Sequence, residues 1–470
     1  MRYVSTRGNA PVLGFADVLL AGLAADGGLY VPERWPELPA REELLAMDYP
    51  TLAAEVMWPY VAPDGDPGPG DLDRDTFSRI VADSYAGFDA DEVVPVIPLG
   101  DVWLAELFHG PTLAFKDVAL QLVGRLFDHV LEGRDSRVAI LGATSGDTGS
   151  AAMEAFRGRA RADCVILFPE GRVSEVQRRQ MTTITEANCH AVAVTGTFDD
   201  CQDLVKAAFA DESFRDEVHL SAVNSINWGR VMAQVVYYVW ASLRVAPDGS
   251  PVSFCVPTGN FGNILAAWVA KRMGLAVDRL VVASNRNDIL TRFFTTGDMQ
   301  AEPVVPTTSP SMDIQVSSNL ERLLFEVLDR DGSAVADLLG RFRSDGSVSV
   351  PGDVLATLGD EFDAARLDDT AVAEVIDSVH EEHDVLLDPH SAVGVGVARS
   401  FVGGLHTPLV CMATAHPAKF PDAVFEASGV RPPLPAHMAD LLERPERVEH
   451  APNELGAVEG HVRRVLAAGS

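Results

Sequence analysis

The segment FHGPTLAFKD (residues 108–117) places a lysine where the amphipathic pattern of a helix begins. A helix dipole disfavours a cation at its N-terminus, so Lys116 needs either a lowered pKa or a counter-charge, which Asp117 could supply. A desolvated lysine is the form that a Schiff base requires, because only the neutral amine attacks an aldehyde. A solvated surface lysine is the ordinary alternative, so this segment by itself does not identify a nucleophile.

Two glycine-rich segments have the composition of anion-binding loops. GATSGDTGSAA (142–152) and PTGNFGN (257–263) each follow a short apolar run and precede a helical pattern. Backbone N–H groups at such a turn point at one spot and bind phosphate or carboxylate. Neither matches the Walker A or dinucleotide-binding pattern, and each has an ordinary tight turn as its alternative. Two such loops predict a ligand with two anionic ends, or two ligands side by side.

A fourth polar segment, NSINWGR (224–230), stands before the longest nearly apolar run of the chain. Ser225, Asn227 and Arg230 offer hydroxyl, amide and guanidinium donors, a combination that suits a phosphoryl dianion. The alternative is a helix cap with a salt-bridged arginine. No HExxH, CxxC or paired-carboxylate pattern points to a metal site.

Composition excludes several classes of function. The chain has 470 residues, is 47% hydrophobic and carries a formal net charge of −31. Such a surface repels nucleic acid and anionic membranes, so neither is expected as a partner. The five cysteines are scattered, which favours reduced thiols. The apolar run at 231–243 is too short to span a bilayer, and the N-terminus has no signal-peptide pattern, so we expect a cytoplasmic protein.

These segments need a scaffold that brings them together, and the chain predicts one. Residues 1–92 have a mainly helical pattern, and short apolar runs alternate with helical periods from residue 93 onwards. Strand, crossover helix and strand in alternation are typical of a mostly parallel sheet covered on both faces, so the predicted class is α/β. Ligands of such sheets bind beyond the carboxyl ends of the strands, where the polar segments fall. A long polar stretch at 295–319 is a candidate for a mobile or functional loop.

Taken together, these segments resemble the threonine synthase family, in its longer type with an N-terminal helical domain. The matching motifs are MRYVSTRG, FHGPTLAFKD, GATSGDTGSAA, NSINWGRVMAQ, PTGNFGN, PSMDIQVSSNLERLLFE and ATAHPAKF. The resemblance implies the fold type II architecture of pyridoxal-phosphate enzymes, similar to the tryptophan synthase β subunit, with the cofactor between two parallel-sheet lobes. The implied domains are an N-terminal mainly helical domain at 1–92, a first lobe at 93–245, a second lobe at 246–450 and a C-terminal helix at 451–470.

The resemblance also implies an activity and a site. The family converts O-phospho-L-homoserine and water to L-threonine and phosphate by β,γ-elimination and replacement on pyridoxal 5′-phosphate. Lys116 would be the Schiff-base lysine and general base. The cofactor phosphate would lie on Gly259, Asn260, Phe261, Gly262 and Asn263, and Thr414 would hydrogen-bond the pyridine nitrogen. The substrate carboxylate would contact Thr144, Ser145, Gly146, Asp147 and Thr148, and its phosphate would contact Ser225, Asn227 and Arg230, with Lys419 as a further candidate.

Two alternatives remain open from the residues. A serine/threonine dehydratase or a cysteine synthase would share the lysine and the glycine-rich loops but would need no cation for a γ-phosphate. A threonine-synthase-like protein that binds phosphate esters without catalysis is the other alternative. The sequence does not distinguish a monomer from a homodimer.

Overall fold

The structure, a computed structural model, describes residues 1–63, 65 and 68–468. Its strands are β1 Arg2–Ser5, β2 Leu13–Gly14, β3 Tyr30–Pro32, β4 Val96–Leu99, β5 Val102–Glu106, β6 Val138–Ala143, β7 Ala162–Pro169, β8 Cys189–Val194, β9 Leu220–Ser221, β10 Val252–Pro257, β11 Val277–Ser284, β12 Asp298–Gln300, β13 Ser347–Ser349, β14 Phe362–Arg366, β15 Leu409–Ala413 and β16 Glu449–Ala451.

The helices lie between and around these strands. They are α1 Phe15–Ala21, α2 Arg41–Leu45, α3 Tyr49–Val61, α4 Arg74–Tyr85, α5 Lys116–Gly133, α6 Asp147–Phe156, α7 Glu175–Thr182, α8 Phe198–Ala210, α9 Glu212–Glu217, α10 Trp228–Val245, α11 Gly262–Arg272, α12 Ile289–Thr296, α13 Leu320–Val327, α14 Gly332–Asp345, α15 Gly352–Gly359, α16 Asp369–His383, α17 Pro389–Phe401, α18 Pro421–Ser428 and α19 Leu455–Ala468.

The N-terminal region is mainly helical, as predicted, and it also contains a small antiparallel sheet in the order β2-β1-β3. The pattern of α3 shows why the helices could be read from the sequence. Asp48 caps it by accepting a hydrogen bond from the N–H of Thr51 at 3.0 Å, and a proline lies in its first turn. The three strands of the sheet are only two to four residues long, too short to show a period in the sequence.

Two larger sheets carry the rest of the chain. One has five parallel strands in the order β16-β8-β7-β6-β9, and the other has six strands in the order β14-β11-β10-β15-β5-β4. Only β4 of the six-stranded sheet runs antiparallel to its neighbour. The predicted α/β class with two parallel-sheet lobes is therefore confirmed.

The division of the chain between the sheets differs from the predicted boundaries. Strands β4 and β5 fall within the predicted first lobe at 93–245, but both belong to the six-stranded sheet, where β5 pairs with β15 and β4 pairs with β5. Strand β16 falls within the predicted second lobe, but it pairs with β8 of the other sheet. Local pattern identifies a strand but not its distant partner, which is why the sequence placed these strands in the wrong lobe. The predicted tail at 451–470 forms helix α19, and its last two residues lie outside the described residues.

Helix α10 lies at the centre of the molecule, in agreement with its apolar sequence. Its residues 228–243 are all buried, and it packs against α3, α5 and α11. The sequence of such a helix is hydrophobic on all faces because every face packs against other parts of the protein. Within the described part of the chain, no helix is long and apolar enough to cross a membrane.

Helices α5 and α6 approach each other at Gly124, where a Cβ would collide with the carbonyl oxygen of Ala155. Both helices begin at a predicted site segment, so their spacing also sets the positions of Lys116 and Asp147. Gly340 in α14 provides a comparison, since it is exposed and a Cβ there would meet no atom within 4 Å.

We expect Gly124→Ala to lower the free energy of unfolding by about 1–3 kcal/mol, because the added methyl group pushes α5 and α6 apart. Gly340→Ala should raise it by about 0.4–1 kcal/mol, because alanine restricts the unfolded chain without a clash in the helix. Denaturant unfolding of the two variants and the parent, at one cofactor concentration, measures both effects. A Gly124→Ala variant as stable as the Gly340→Ala variant would contradict the close packing.

Candidate active site

Lys116 is held at the carboxyl end of the six-stranded sheet by a short antiparallel contact. Residues 113–115 pair with residues 414–416 through an isolated bridge, and the N–H of Phe115 donates to the carbonyl oxygen of Thr414 at 2.9 Å. Because residues 414–416 follow the central strand β15, the contact brings Lys116 and Thr414 to the edge where α/β sheets bind ligands. Helix α5 begins at Lys116, whose side chain is buried.

Asp117 is not the counter-charge of Lys116, contrary to the suggestion from the sequence. Its carboxylate accepts hydrogen bonds from the N–H of Thr112 at 2.8 Å and from the Thr112 hydroxyl at 2.6 Å. Asp117 is fully buried, and this burial raises the pKa of its carboxyl to about 6 although the bonds from Thr112 oppose the rise. Its role is to close the turn that precedes α5.

The counter-charge is Asp147, the first residue of α6. One carboxylate oxygen lies 3.1 Å from Nζ of Lys116, and the other lies 2.9 Å from Nζ of Lys419. The side-chain amide of Gln177 also donates to this carboxylate at 2.9 Å. Burial alone would raise the pKa of Asp147, but the two ammonium groups outweigh it and hold this pKa well below 3.8.

The same environment acts on the amine of Lys116. Burial lowers the pKa of Lys116, Asp147 opposes this effect, and Lys419 and Arg230 lower the pKa further. The environment therefore favours release of the ammonium proton, which prepares a neutral amine for attack on a carbonyl group. The prediction of a desolvated lysine at the mouth of α5 agrees with this geometry.

Lysine is rare in this chain, and half of its lysines are in this cluster. Of 37 Lys and Arg residues, only Lys116, Lys206, Lys271 and Lys419 are lysines. Lys419 is fully buried, and its ammonium group also donates to the carbonyl oxygen of Thr112 at 2.6 Å. Arginine cannot lose its proton in a protein, so an amine that must become neutral has to be a lysine.

The predicted carboxylate-binding loop, 144–148, is shaped by its own threonine. The hydroxyl oxygen of Thr144 accepts hydrogen bonds from the N–H of Gly146 at 2.9 Å and from the N–H of Gly149 at 2.8 Å. These bonds fold the segment onto the start of α6. Ser145 and Thr148 are partly accessible at this turn, so binding of a substrate carboxylate there stays a prediction.

The predicted phosphate-binding loop has the geometry of an anion site. Helix α11 begins at Gly262, directly after Phe261 with a φ of 62°, and the first N–H groups of a helix have no acceptor within it. A Cβ at Gly259 would lie 2.8 Å from the carbonyl oxygen of Ser311, so only glycine fits there. In Asn263, Oδ1 accepts a hydrogen bond from Tyr238 at 2.7 Å, whereas Nδ2 is buried without a partner.

Asn319 joins three of the predicted segments. Its side-chain amide donates to the carbonyl oxygen of Asn260 at 2.9 Å and to that of Ser225 at 3.2 Å. Ser317 donates to the carbonyl oxygen of Gly259 at 2.8 Å. The segments around residues 225, 260 and 319 therefore form one wall of the site. The polar stretch at 295–319 contributes to this wall with its C-terminal part.

Arg230 is a buried cation without a counter-ion. It is 3% exposed, its Nη1 donates to the carbonyl oxygen of Val223 at 3.3 Å, and its Nε is buried without a partner. No carboxylate among the described residues forms an ion pair with it, and burial lowers the pKa of its guanidinium to about 10. A buried cation of this kind is costly unless a bound anion compensates for it.

The other two residues of this predicted set lie beside Arg230 and have different surroundings. Asn227 caps α10, since its Oδ1 accepts from the N–H of Gly229 at 3.0 Å and its Nδ2 donates to the carbonyl oxygen of Leu19 at 2.7 Å. The helix-cap alternative for Asn227 is therefore realised in the structure. Ser225 is partly accessible, and its carbonyl oxygen bonds to Asn319.

The surroundings of Thr414 contain residues that the sequence analysis missed. The N–H of Thr414 donates to the hydroxyl of Ser391 at 3.0 Å. Ser391 and His390 both bond to the buried Asp388, and Nε2 of His390 accepts from the N–H of Ser311 at 3.2 Å. The dipeptide Asp388-Pro389 is a recognisable helix start, but nothing in the sequence indicates that this helix end supports Thr414.

The residues present fit pyridoxal 5′-phosphate. The helix start at Gly262 and the unpartnered Nδ2 of Asn263 suit its phosphate, and Lys116 suits its aldehyde. Thr414 has a neutral hydroxyl, which suits a ring nitrogen that stays unprotonated. Lys116 contacts Asp147, and Thr414 bonds to the residue before Lys116. Gln177 and Ser311 donate to Asp147, and His390 accepts from Ser311.

Three family models match the chain and together cover most of it. They are "Threonine synthase N terminus" over residues 2–85, "Pyridoxal-phosphate dependent enzyme" over residues 94–338 and "Threonine synthase, C-terminal" over residues 391–462. The middle model matches more than half of the chain. The predicted fold type II architecture is confirmed by this match and by the solved structures below.

Individual proteins give the same result. The threonine synthase of Pseudomonas aeruginosa is 51% identical over 466 residues, which cover 98% of each chain. The crystal structure of a pyridoxal-phosphate-bound threonine synthase from Brucella melitensis is 50% identical, covers 99% of both chains and superposes with a TM-score of 0.95. The yeast threonine synthase structure is 35% identical, covers 99% of both chains and superposes with a TM-score of 0.92.

The buried Asp117 predicts a pH dependence of stability. Its pKa is about 6 in the folded protein against 3.8 in the unfolded chain, so the native state keeps a proton that the unfolded state has released. As the pH rises from about 4 to 6, the free energy of unfolding should therefore fall by about 2 kcal/mol more in the parent than in Asp117→Asn. Denaturant unfolding of both proteins over this range measures the difference. Parallel pH profiles would contradict the raised pKa.

Proposed function

The chain belongs to the threonine synthase family and is a pyridoxal-phosphate-dependent enzyme, and on that premise we propose that it converts O-phospho-L-homoserine and water to L-threonine and phosphate. The observation that carries the choice of a phosphorylated substrate is the buried, unpaired guanidinium of Arg230 close to Lys116. A dianion bound at this place would compensate a cation for which the described protein provides no counter-ion.

Within this proposal, Lys116 both holds the cofactor and moves protons. When bound, pyridoxal 5′-phosphate takes up the electron pair that remains when a proton leaves the substrate carbon next to the amino group. Nζ of Lys116 accepts that proton, because burial favours its neutral form and Asp147 holds it at 3.1 Å. The same amine later returns a proton to this carbon.

The other cofactor contacts are those that the family resemblance implies. Residues 259–263 would hold the cofactor phosphate at the start of α11, and the hydroxyl of Thr414 would hydrogen-bond the pyridine nitrogen. Asp147 occupies the position where some relatives carry an asparagine that contacts the 3′-oxygen of the cofactor. Because two lysines keep Asp147 ionised, it accepts protons in hydrogen bonds at this position and cannot donate one.

The two anionic ends of the substrate have separate places. The α-carboxylate binds at residues 144–148, the segment at the start of α6 in which Ser145 and Thr148 are partly accessible. The phosphate binds at Arg230, with Ser225 as a further donor and Asn227 fixing the helix end. Departure of phosphate from the γ-carbon develops charge on its oxygen, and a guanidinium in a buried site stabilises that charge strongly.

The alternatives explain this site less well. A serine/threonine dehydratase or a cysteine synthase has no γ-phosphate that would compensate Arg230. A phosphate-ester binder without catalysis would have no use for an amine whose pKa is lowered by burial. Family membership and the geometry of Lys116 both support catalysis.

The proposal also covers the compartment and the oligomeric state of the enzyme. We place it in the cytoplasm, acting on a small molecule as a monomer or a homodimer. All five cysteines are buried and unpaired, which is compatible with a reducing compartment.

Replacement of Lys116 tests the assignment of the amine. Lys116→Ala should lower turnover by about a thousandfold or more, because it removes both the cofactor attachment and the base. Release of phosphate and of threonine, measured together with the visible absorption of the cofactor, should be lost in parallel. Lys271→Ala on α11 is the matched control and should retain both. A Lys116→Ala variant near the parent rate would refute the role.

Replacement of Arg230 tests the phosphate site separately. Arg230→Gln should lower kcat/KM for O-phospho-L-homoserine by about 10²–10³-fold, because it removes a buried charge partner of the substrate. Inhibition by inorganic phosphate should weaken as well, while the visible absorption of the cofactor stays. Arg244→Gln, at the other end of α10, is the control. If kcat/KM stays within about twofold of the parent, the phosphate binds elsewhere.

A further inference from the structure

Far from these loops along the chain, three potential metal ligands meet at the edge of the five-stranded sheet. His190 lies in β8, Glu449 in β16 and His461 in α19, and one coordinating atom of each lies within 4.8 Å of those of the other two. Nδ1 of His461 is 2.9 Å from a carboxylate oxygen of Glu449. The residues are far apart in the sequence, which is why no spacing pattern revealed them.

The register of the sheet explains the meeting. Glu449 pairs with Val192 in the parallel ladder between β16 and β8, and paired residues point to the same face. His190 is two residues before Val192 and therefore shares this face. Helix α19 packs on the same face through Val458 and Val462, which brings its His461 to the two strands.

Among the described residues, none forms a hydrogen bond with two of the ring nitrogens in this cluster. Nε2 of His190 and Nε2 of His461 are both buried and unpaired, and His461 is only 4% exposed. A buried polar atom without a partner costs free energy, so such atoms mark sites for a water, an ion or a ligand.

Positive and negative charges both lie near the cluster, and they have opposite effects on the binding of a cation. Arg464 lies 3.3 Å from Nδ1 of His461, and Arg447 also lowers the pKa of His190. The guanidinium of Arg447 is occupied with backbone carbonyl oxygens, among them that of Glu186 at 2.8 Å. The carboxylate of Glu449 faces these cations and would supply one negative charge to a bound ion.

We propose that His190, Glu449 and His461 bind one divalent transition-metal ion of the zinc class. Two imidazoles and one carboxylate suit zinc better than magnesium or calcium, which prefer oxygen ligands alone. The 2.9 Å between Nδ1 of His461 and a carboxylate oxygen of Glu449 is close to the roughly 3.3 Å edge of a zinc tetrahedron, so His461 would bind the ion through Nδ1 and not through Nε2. The three coordinating atoms lie within 4.8 Å of one another and would move closer together around the ion. The Glu449 side chain is 49% exposed, so water can occupy a fourth position.

Such an ion would fasten the C-terminal segment to the sheet. Strand β16 pairs with β8 over three residues only, and α19 follows it as the last helix of the chain. An ion held by β8, β16 and α19 stabilises the folded state more the tighter it binds, because the unfolded chain does not keep the three ligands together. The site is separate from the loops around Lys116.

The test uses the full-length, untagged holoenzyme after chelation and dialysis. Titration calorimetry with Zn²⁺ should show one equivalent per chain, and Co²⁺ should give the visible absorption of a tetrahedral complex. The thermal unfolding midpoint should rise when Zn²⁺ is added. Absence of any Zn²⁺ binding to the parent protein would overturn the proposal.

Variants distinguish Zn²⁺ binding at this site from Zn²⁺ binding by the cofactor or by other groups on the protein surface. His190→Gln and Glu449→Gln should each weaken Zn²⁺ binding by about tenfold or more, and Glu449→Gln alters only a partly exposed side chain and should fold normally. His450→Gln is the control. His450 follows Glu449 in β16 and contacts the carboxylate of Glu170, so its replacement should leave the affinity for Zn²⁺ unchanged. The assignment would be refuted if all three variants bound Zn²⁺ as tightly as the parent. It would also be refuted if His450→Gln weakened Zn²⁺ binding as much as His190→Gln and Glu449→Gln do.

Discussion

The buried carboxylate of Asp147 between two ammonium groups is the interaction on which the site depends. It joins the start of α6 to Lys116 at the start of α5 and to Lys419 after β15, three places that the chain reaches only after long intervals. A buried charge is costly unless it has a partner of opposite charge and further hydrogen bonds. Gln177 and Thr112 provide these bonds, so α7 and the turn before α5 are held in place by the same group of charges.

Some buried polar groups of the site have hydrogen-bond partners within the protein, and others have an atom without one. Asp117 is buried, yet Thr112 provides it with two hydrogen bonds, and its place in the turn is thereby fixed. Arg230 and Asn263 are buried with a nitrogen atom that no described group accepts from. The first kind of residue shapes the site, and the second kind indicates where a ligand completes it. In sequence the two kinds look alike, since both are polar residues beside a helix start.

Local features of this fold were predictable, and long-range ones were not. The apolar sequence of α10, the glycine-rich turns and the alternation of strands and helices all rest on neighbours in the chain, and the structure agrees with them. The pairing of β5 with β15 rests on residues some 300 positions apart, and no local pattern encodes it. For the same reason Asp117 looked like the partner of Lys116, whereas Asp147 fills that role. The contacts of Asn319 became visible only when three segments had been placed in space.

The scarcity of lysine has a practical consequence for attaching probes to this protein. Lys116 and Lys419 are buried, so reagents that acylate side-chain amines have only Lys206 and Lys271 available among the lysines. Lys206 lies in α8 with 70% of its side chain exposed, and Lys271 lies near the end of α11. A fluorophore or a solid support coupled through amines would therefore be attached at few, known positions. Most proteins of this size would need an engineered cysteine for comparable control.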